Sequence, residues 1–283
     1  MFTLNGHLLV GTSPQDRPVQ AALTQNHDGP IVAKFLVFHY TACTGASARA
    51  TFLRQAGPNR VSAHLLVDRD GSVTQFVPLD LRAWHAGESS WDGFQDLNSH
   101  SIGIEVVNFG YLQKRADGSF LSADGTQQVL AADVVEGRHQ LPRWPWTFWQ
   151  GYTAPQIATC EALADLLVRA YALRDIVGHD DIAPTRKVDP GPAFPLAHIR
   201  SLALGRDSPV VPDQVAYVAA DMLNIRTAPS ADAAKAGAAL ARDTRLTVLA
   251  RDPSGWTRVT TPAQPPVTGW VRSEYTRATP AFT

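Results

Sequence analysis

The chain is short of several things, and each shortage closes a route. Two cysteines in 283 residues, Cys43 and Cys160, are too few for a disulfide framework; they fit a reduced compartment and leave room for one bridge at most. No stretch of about 18 apolar residues occurs, so no membrane insertion is expected. The opening MFTLNGHLLVGTSPQDRP has neither a basic n-region nor a long apolar run. No Sec signal peptide is therefore expected, which leaves the cytoplasm or export by a non-Sec route. An excess of charge is missing too. With 25 Lys+Arg against 26 Asp+Glu, the formal net charge is −1, and the chain has no basic field to neutralise phosphates, so no nucleic-acid partner is expected. What remains is ordinary globular material, 45% hydrophobic and 18% charged, which a full core requires and a disordered chain lacks. The length calls for that core plus a smaller accessory domain.

The run IVAKFLVFHY is apolar and β-branched enough for a buried strand, and it delivers His39 at its end. ASARATFLRQA (46–56) reads as a short helix with Phe52 and Leu53 inward. VSAHLLVD and SVTQFVPL, joined by Arg69, Asp70 and Gly71, have the chemistry of a hairpin. SIGIEVVN (101–108) is another strand, with Ile102, Ile104 and Val106 on one face and Gly103, Glu105 and Val107 on the other. Thr153 is placed to cap a helix over 154–172, whose packed face includes Cys160, and Leu196 to Leu204 forms a last helix. Residues 109–152 break this rhythm and read as an insertion loop in which Trp144, Trp146 and Trp149 crowd together, either as a satellite core or as a sugar-stacking wall.

The fold class that follows is α/β: a mixed central β-sheet flanked by helices over 1–207, with an N-terminal extension at 1–29 and an insertion at 109–152. SPVVPDQ is a proline-marked linker, and beyond it short strands without helical periodicity make a small all-β barrel over 208–283.

Zinc hydrolases need about three N, O or S ligands in tetrahedral arrangement with a further position open. His39 at a strand end, and His179 and Asp189 ten residues apart in the loop GHDDIAPTRKVDP, can supply that set. The plain alternative is a satisfied structural role for each histidine. Cys43, four residues past His39, is assigned to packing, as free buried cysteines usually are.

The strings around these residues decide the matter. FLVFHYTA (35–42), SAHLLVDRDG (62–71), AWHAG (83–87), NSHSIGIEVVN (98–108) and VGHDDIAPTRKVDPGPAFP (177–195) follow one another as they do in the amidase_2 family of N-acetylmuramoyl-L-alanine amidases, which the chain resembles. That family shares its fold with phage-type lysozyme amidases and animal peptidoglycan recognition proteins. The resemblance implies Zn2+ as cofactor, held by His39, His179 and Asp189. It further implies Glu105 as the proton-carrying carboxylate and Lys187 as the oxyanion stabiliser. The implied reaction is zinc-dependent cleavage of the amide between N-acetylmuramic acid and L-alanine, with peptidoglycan or muropeptides as partner. Tyr40, His64, His85 and Asn108 lie inside the matching strings and are expected to contact substrate, with packing the alternative for each. LNIRTAPS, GWTRV and GWVRSEY resemble bacterial SH3-like domains, implying a wall-binding module. Relatives on this fold that have lost a zinc ligand bind peptidoglycan without cutting it, which is the competing reading. With no Sec leader, exit through lysis or contact-dependent secretion is the alternative to the cytoplasm, and an exported effector would meet an inhibitor or immunity partner.

Overall fold

Parallel strands buried on both faces must be apolar almost throughout, and the sequence supplies such runs. The computed structural model describes residues 1–57, 60–141, 143–205, 215–252, 254–261 and 267–277, and it divides into two compact units, Met1–Asp207 and Ser208–Thr283. The linker expected at 208–214 lies outside the described residues.

The first unit is built on six strands: β1 (Gln20–Ala21), β2 (Phe35–Tyr40), β3 (Leu65–Val67), β4 (Val73–Gln75), β5 (Ser101–Val106) and β6 (Asp175–Gly178). They lie side by side in the order β6-β2-β5-β3-β4-β1. β2 pairs in parallel with both β5 and β6, β5 pairs in parallel with β3, and β1 pairs in parallel with β4. Only the β3–β4 hairpin is antiparallel, so the sheet is mixed. Strand alternation sends Leu36, Phe38, Ile102, Ile104 and Val106 into one core, which is closed by Cys160, Leu163, Ala164 and Leu167 of helix α2 (Ala154–Tyr171). The opposite face carries Phe35 and Val37, covered by Ala86 and Leu97, and beyond them His39 and Glu105.

Helix α1 (Gly45–Leu53) packs Phe52 but leaves Leu53 39% exposed. Both were expected inward, and the helix ends at Leu53, where the chain turns away. Thr153 caps α2 by accepting from the Gln156 amide, with Gln156 reaching back in a capping box. A one-turn helix α3 (His179–Ile182) follows β6 directly, and α4 (Leu196–Leu204) closes the unit.

One expectation changes here. Residues 109–152 are not an irregular loop. Leu112–Lys114, Phe120–Ser122 and Gln128–Val129 form a three-stranded sheet, and Val134–Glu136 pairs with Phe148–Gln150. Strands of two or three residues joined by turns at Gly118 and Gly125 are too short to show alternation. In the N-terminal extension at 1–29, the hairpin Phe2–Asn5/Leu8–Gly11 buries Phe2 and Leu9 in the main core.

The second unit is an antiparallel five-stranded sheet. In spatial order its strands are Thr268–Arg272, Trp256–Thr260, Arg245–Asp252, Val215–Val218 and Thr276–Arg277. It curls around Val218, Ile225, Leu246, Val248, Val259 and Val271. Among the described residues no helix is long and apolar enough to cross a membrane.

Candidate metal centre

His39 is the fifth residue of β2, and parallel register sets it beside Glu105 of β5; pairing and alternation aim both side chains to the face away from α2. The end of β6 runs straight into α3, so His179 emerges at the same end of the sheet one strand over. The loop after α3 turns back on itself, with the Asp180 amide donating to the Asp189 carbonyl at 2.8 Å, and brings in the third candidate ligand, the carboxylate of Asp189.

His39 Nδ1 lies 2.8 Å from His179 Nδ1 and 3.2 Å from Asp189 Oδ2, and His179 Nδ1 lies 2.9 Å from the same oxygen. The three residues are 1%, 2% and 7% exposed. They form a His-His-Asp cluster able to hold a metal ion.

The outer hydrogen bonds test that fit. His179 Nε2 faces the Ala86 carbonyl at 3.0 Å. A carbonyl only accepts, so the proton sits on Nε2 and a lone pair on Nδ1. His39 Nε2 faces His85 Nδ1 at 3.0 Å. His85 Nε2 in turn faces Ser101 Oγ at a long 3.5 Å, and Ser101 donates to the Leu97 carbonyl at 2.5 Å. Running protons outward along this chain leaves His39 Nδ1 with a lone pair too. Two imidazole lone pairs 2.8 Å apart beside a carboxylate repel one another unless a cation lies among them. A tetrahedral zinc site with bonds of about 2.0–2.1 Å spaces its donors about 3.3 Å apart, close to the separations here. The donor chemistry fits a borderline-soft divalent ion.

Electrostatics keep the set in ligand form. Burial, with His179 alongside, pushes the His39 imidazole down to about 4. Burial also acts to raise the Asp189 carboxyl, but the charge and hydrogen bonds of His179 and His39 outweigh it and hold the group well below the usual carboxylate range. Glu105 goes the other way: burial first, then the neighbouring Asp189, raise it to about 8 against the pull of Lys187. Its Oε2 is buried with no hydrogen-bond partner among the described residues. Lys187, whose backbone amide is held by the Ala183 carbonyl at 3.0 Å, presents its charge to both Glu105 and His39.

The structure therefore brings five of the sequence-derived residues together, and it gives the other four scaffold positions. His64 is fully buried; its Nδ1 accepts from the Gly103 amide and its Nε2 donates to the Leu81 carbonyl, both at 2.9 Å. No nitrogen is left for a substrate. Asn108 accepts from the Gly110 amide at 2.7 Å and donates to the Gln150 carbonyl at 3.0 Å, securing the start and end of the insertion. Tyr40 packs its ring against Gly110 and is hydrogen-bonded to the backbone of Tyr111. His85 is the support of His39, and Gly103 makes room for it, since a Cβ there would lie 2.4 Å from the His85 ring.

Sequence reasoning missed the strap beneath the cluster. Residue 85 supports His39 through its side chain and residue 86 supports His179 through its carbonyl, while Asn98 Oδ1 accepts from both backbone amides, at 2.9 and 2.7 Å. The strings AWHAG and NSHSIGI hold these residues, but a supporting carbonyl has no side-chain signature.

A family described as N-acetylmuramoyl-L-alanine amidase matches residues 28–192, and one described as bacterial SH3 domain matches residues 221–277. The 1,6-anhydro-N-acetylmuramyl-L-alanine amidase AmpD of Escherichia coli (strain K12) is 35% identical over 153 residues, covering 53% of this chain and 63% of that protein. The N-acetylmuramoyl-L-alanine amidase AmiD of the same organism is 32% identical over 184 residues, 61% of this chain and 54% of that protein. The chain thus spans less than two thirds of the length of these curated relatives. Among solved structures, a selenomethionine AmpD derivative aligns with a TM-score of 0.49 at 28% identity, covering 71% of this chain and 98% of that one.

Proposed function

The chain belongs to the N-acetylmuramoyl-L-alanine amidase family, and on that premise we propose that it hydrolyses the amide between N-acetylmuramic acid and the L-alanine of the stem peptide, with zinc held by His39, His179 and Asp189. The observation that carries this reading is the buried trio of donors within 3.2 Å of one another, flanked on the next strand by an unpartnered carboxylate oxygen of Glu105.

Bound zinc supplies Lewis acidity toward the scissile carbonyl and toward water. Glu105 takes the proton of the attacking water and delivers it to the alanine nitrogen, which is too basic to leave as an anion. Burial raises the Glu105 carboxyl above the ordinary carboxylate value, which makes the carboxylate a stronger base toward the attacking water while the proton it gains stays transferable to the alanine nitrogen. Lys187 sets its ammonium against the negative charge that develops on the carbonyl oxygen. His85 and Ala86 hold the two histidines in the tautomers that the metal requires.

Residues 1–207 are the hydrolase in this reading, and 208–283 an SH3-like module that engages the wall. Polymeric peptidoglycan is then the partner, ahead of soluble fragments.

Stem-peptide release from purified muropeptides tests the chemistry. A strong chelator and Asp189→Ala should each abolish release, and re-added zinc should restore it only in the chelated wild type. Release undiminished by either treatment would sink the zinc mechanism.

A further inference from the structure

The insertion at 109–152 reaches the loop between two of the three candidate ligands. His139 is buried, with a side chain 0% exposed. Its Nδ1 accepts from the Leu141 amide at 3.0 Å, which puts the ring proton on Nε2. That N–H donates to the Val188 carbonyl at 3.2 Å, and Asp180 Oδ2 lies 3.0 Å from the same nitrogen. Asp180 directly follows His179, and Val188 directly precedes Asp189. Gln140 adds bonds of 3.1 Å to Asp180 Oδ2 and 3.1 Å to Asp181 Oδ1, and Asp181 in turn accepts from the Gly178 amide at 2.8 Å. Trp149 backs the His139 ring at 5.8 Å and lies so close to Gly191 that a Cβ there would meet it at 2.8 Å.

We propose that His139 and Gln140 are positioning residues for the metal centre: the insertion is a clamp that closes the mouth of the 179–189 loop and fixes the separation of His179 from Asp189. Of this loop's side chains Ile182 and Ala183 reach the apolar core, so the spacing of its ends is set by polar contacts: those of the clamp, the backbone bond from Asp180 to Asp189 and the contact of His179 with Asp189 at the ligand atoms themselves. A ligand pair held apart by a shared donor keeps its geometry before the metal arrives, which lowers the ordering cost of binding. The stacked aromatic rings of the insertion serve the same end. Tyr111 lies on Trp146 at 3.8 Å and 14°, and Trp146 on Trp144 at 5.4 Å and 15°. Their inner faces are spent on one another, making the body that carries the clamp.

The inference rests on the reading of His39, His179 and Asp189 as a metal site, and the test separates the two. Zinc affinity of the full chain is measured by competition with a chromophoric chelator, alongside the melting of each metal-free protein. His139→Ala should bind zinc about 10- to 100-fold more weakly, measured at a temperature where its metal-free form is still folded. His139→Gln, whose amide nitrogen has a similar reach and two protons to give, should recover most of the loss. A wild type that binds no zinc defeats the metal reading itself. Wild-type affinity in His139→Ala, or no recovery in His139→Gln, overturns the clamp while the metal reading stands. Should His139→Ala not fold, Gln140→Ala carries the test, with a several-fold weakening expected and an unchanged affinity overturning the proposal.

Discussion

Individual side chains at this site are defined by what their neighbours leave them. Glu105 has an oxygen with no partner and a pKa lifted to about 8; Gln at that position keeps shape and polarity but can neither take nor give the proton. Glu105→Gln should therefore cut kcat by about 10²- to 10⁴-fold with zinc content unchanged, measured by elemental analysis beside the kinetics. A matching loss of zinc would mean that the carboxylate belongs to the ligand set instead. His64 makes the opposite case, a titratable group kept silent. Burial drives its imidazole to about 4, against the smaller pull of the Leu81 carbonyl and Asp80, while the unfolded value is near 6.5. Protonating it would also break its acceptance of the Gly103 amide. The folded form thus refuses a proton that the unfolded form accepts. The stability tied to this refusal is present in full above pH 6.5 and falls away as pH drops toward 4, by about 3 kcal/mol across the window. Denaturant unfolding at pH 7.5 and 4.5 should show a smaller acid loss in His64→Asn than in wild type, by roughly that amount; equal losses would place the acid sensitivity elsewhere.

Elements differ in how far they announce themselves. The helices at Ala154–Tyr171 and Leu196–Leu204 were legible because each holds at least two turns of apolar periodicity, and the first has a capping residue in Thr153. The strand carrying His39 and the strand carrying Glu105 were legible as apolar runs, and pairing them in register needed only the fold. The insertion was not legible, since its strands are two or three residues long and alternation cannot be read over so short a span. The site divides along the same line. Its side-chain members stand in strings that can be read; its supports do not. The carbonyls of Ala86 and Val188 carry no side-chain signature, and Asn98, Ser101 and His139 look like any polar residues until tertiary contact buries them. His64 and Asn108 show the converse: their strings drew attention, yet the hydrogen bonds they make are to the scaffold's own backbone, and only coordinates separate such a residue from one that touches substrate.

At the scale of the molecule, two compact units with separate apolar cores share one chain, and the three candidate ligands all lie in the first. A ligand that binds only the folded form stabilises it by RT ln(1 + [L]/Kd), about 2.7 kcal/mol at a hundredfold excess over Kd. In a unit of about 200 residues that stabilisation shifts melting by about 5 to 10 °C. Zinc should accordingly raise the transition of residues 1–207 by that interval and leave the transition of 208–283 where it was, since the second unit contributes no ligand to the trio. Differential scanning calorimetry with and without chelator resolves this, with hydrogen exchange assigning each transition: protection should rise in β2, β5 and the 179–189 loop and not in the strands from Val215 to Arg277. Asp189→Ala removes one of the three donors, so the gap between zinc-loaded and chelated samples should close in that variant while the second transition stays fixed. A zinc shift that survives Asp189→Ala, or one that moves both transitions equally, would put the binding energy somewhere other than this cluster.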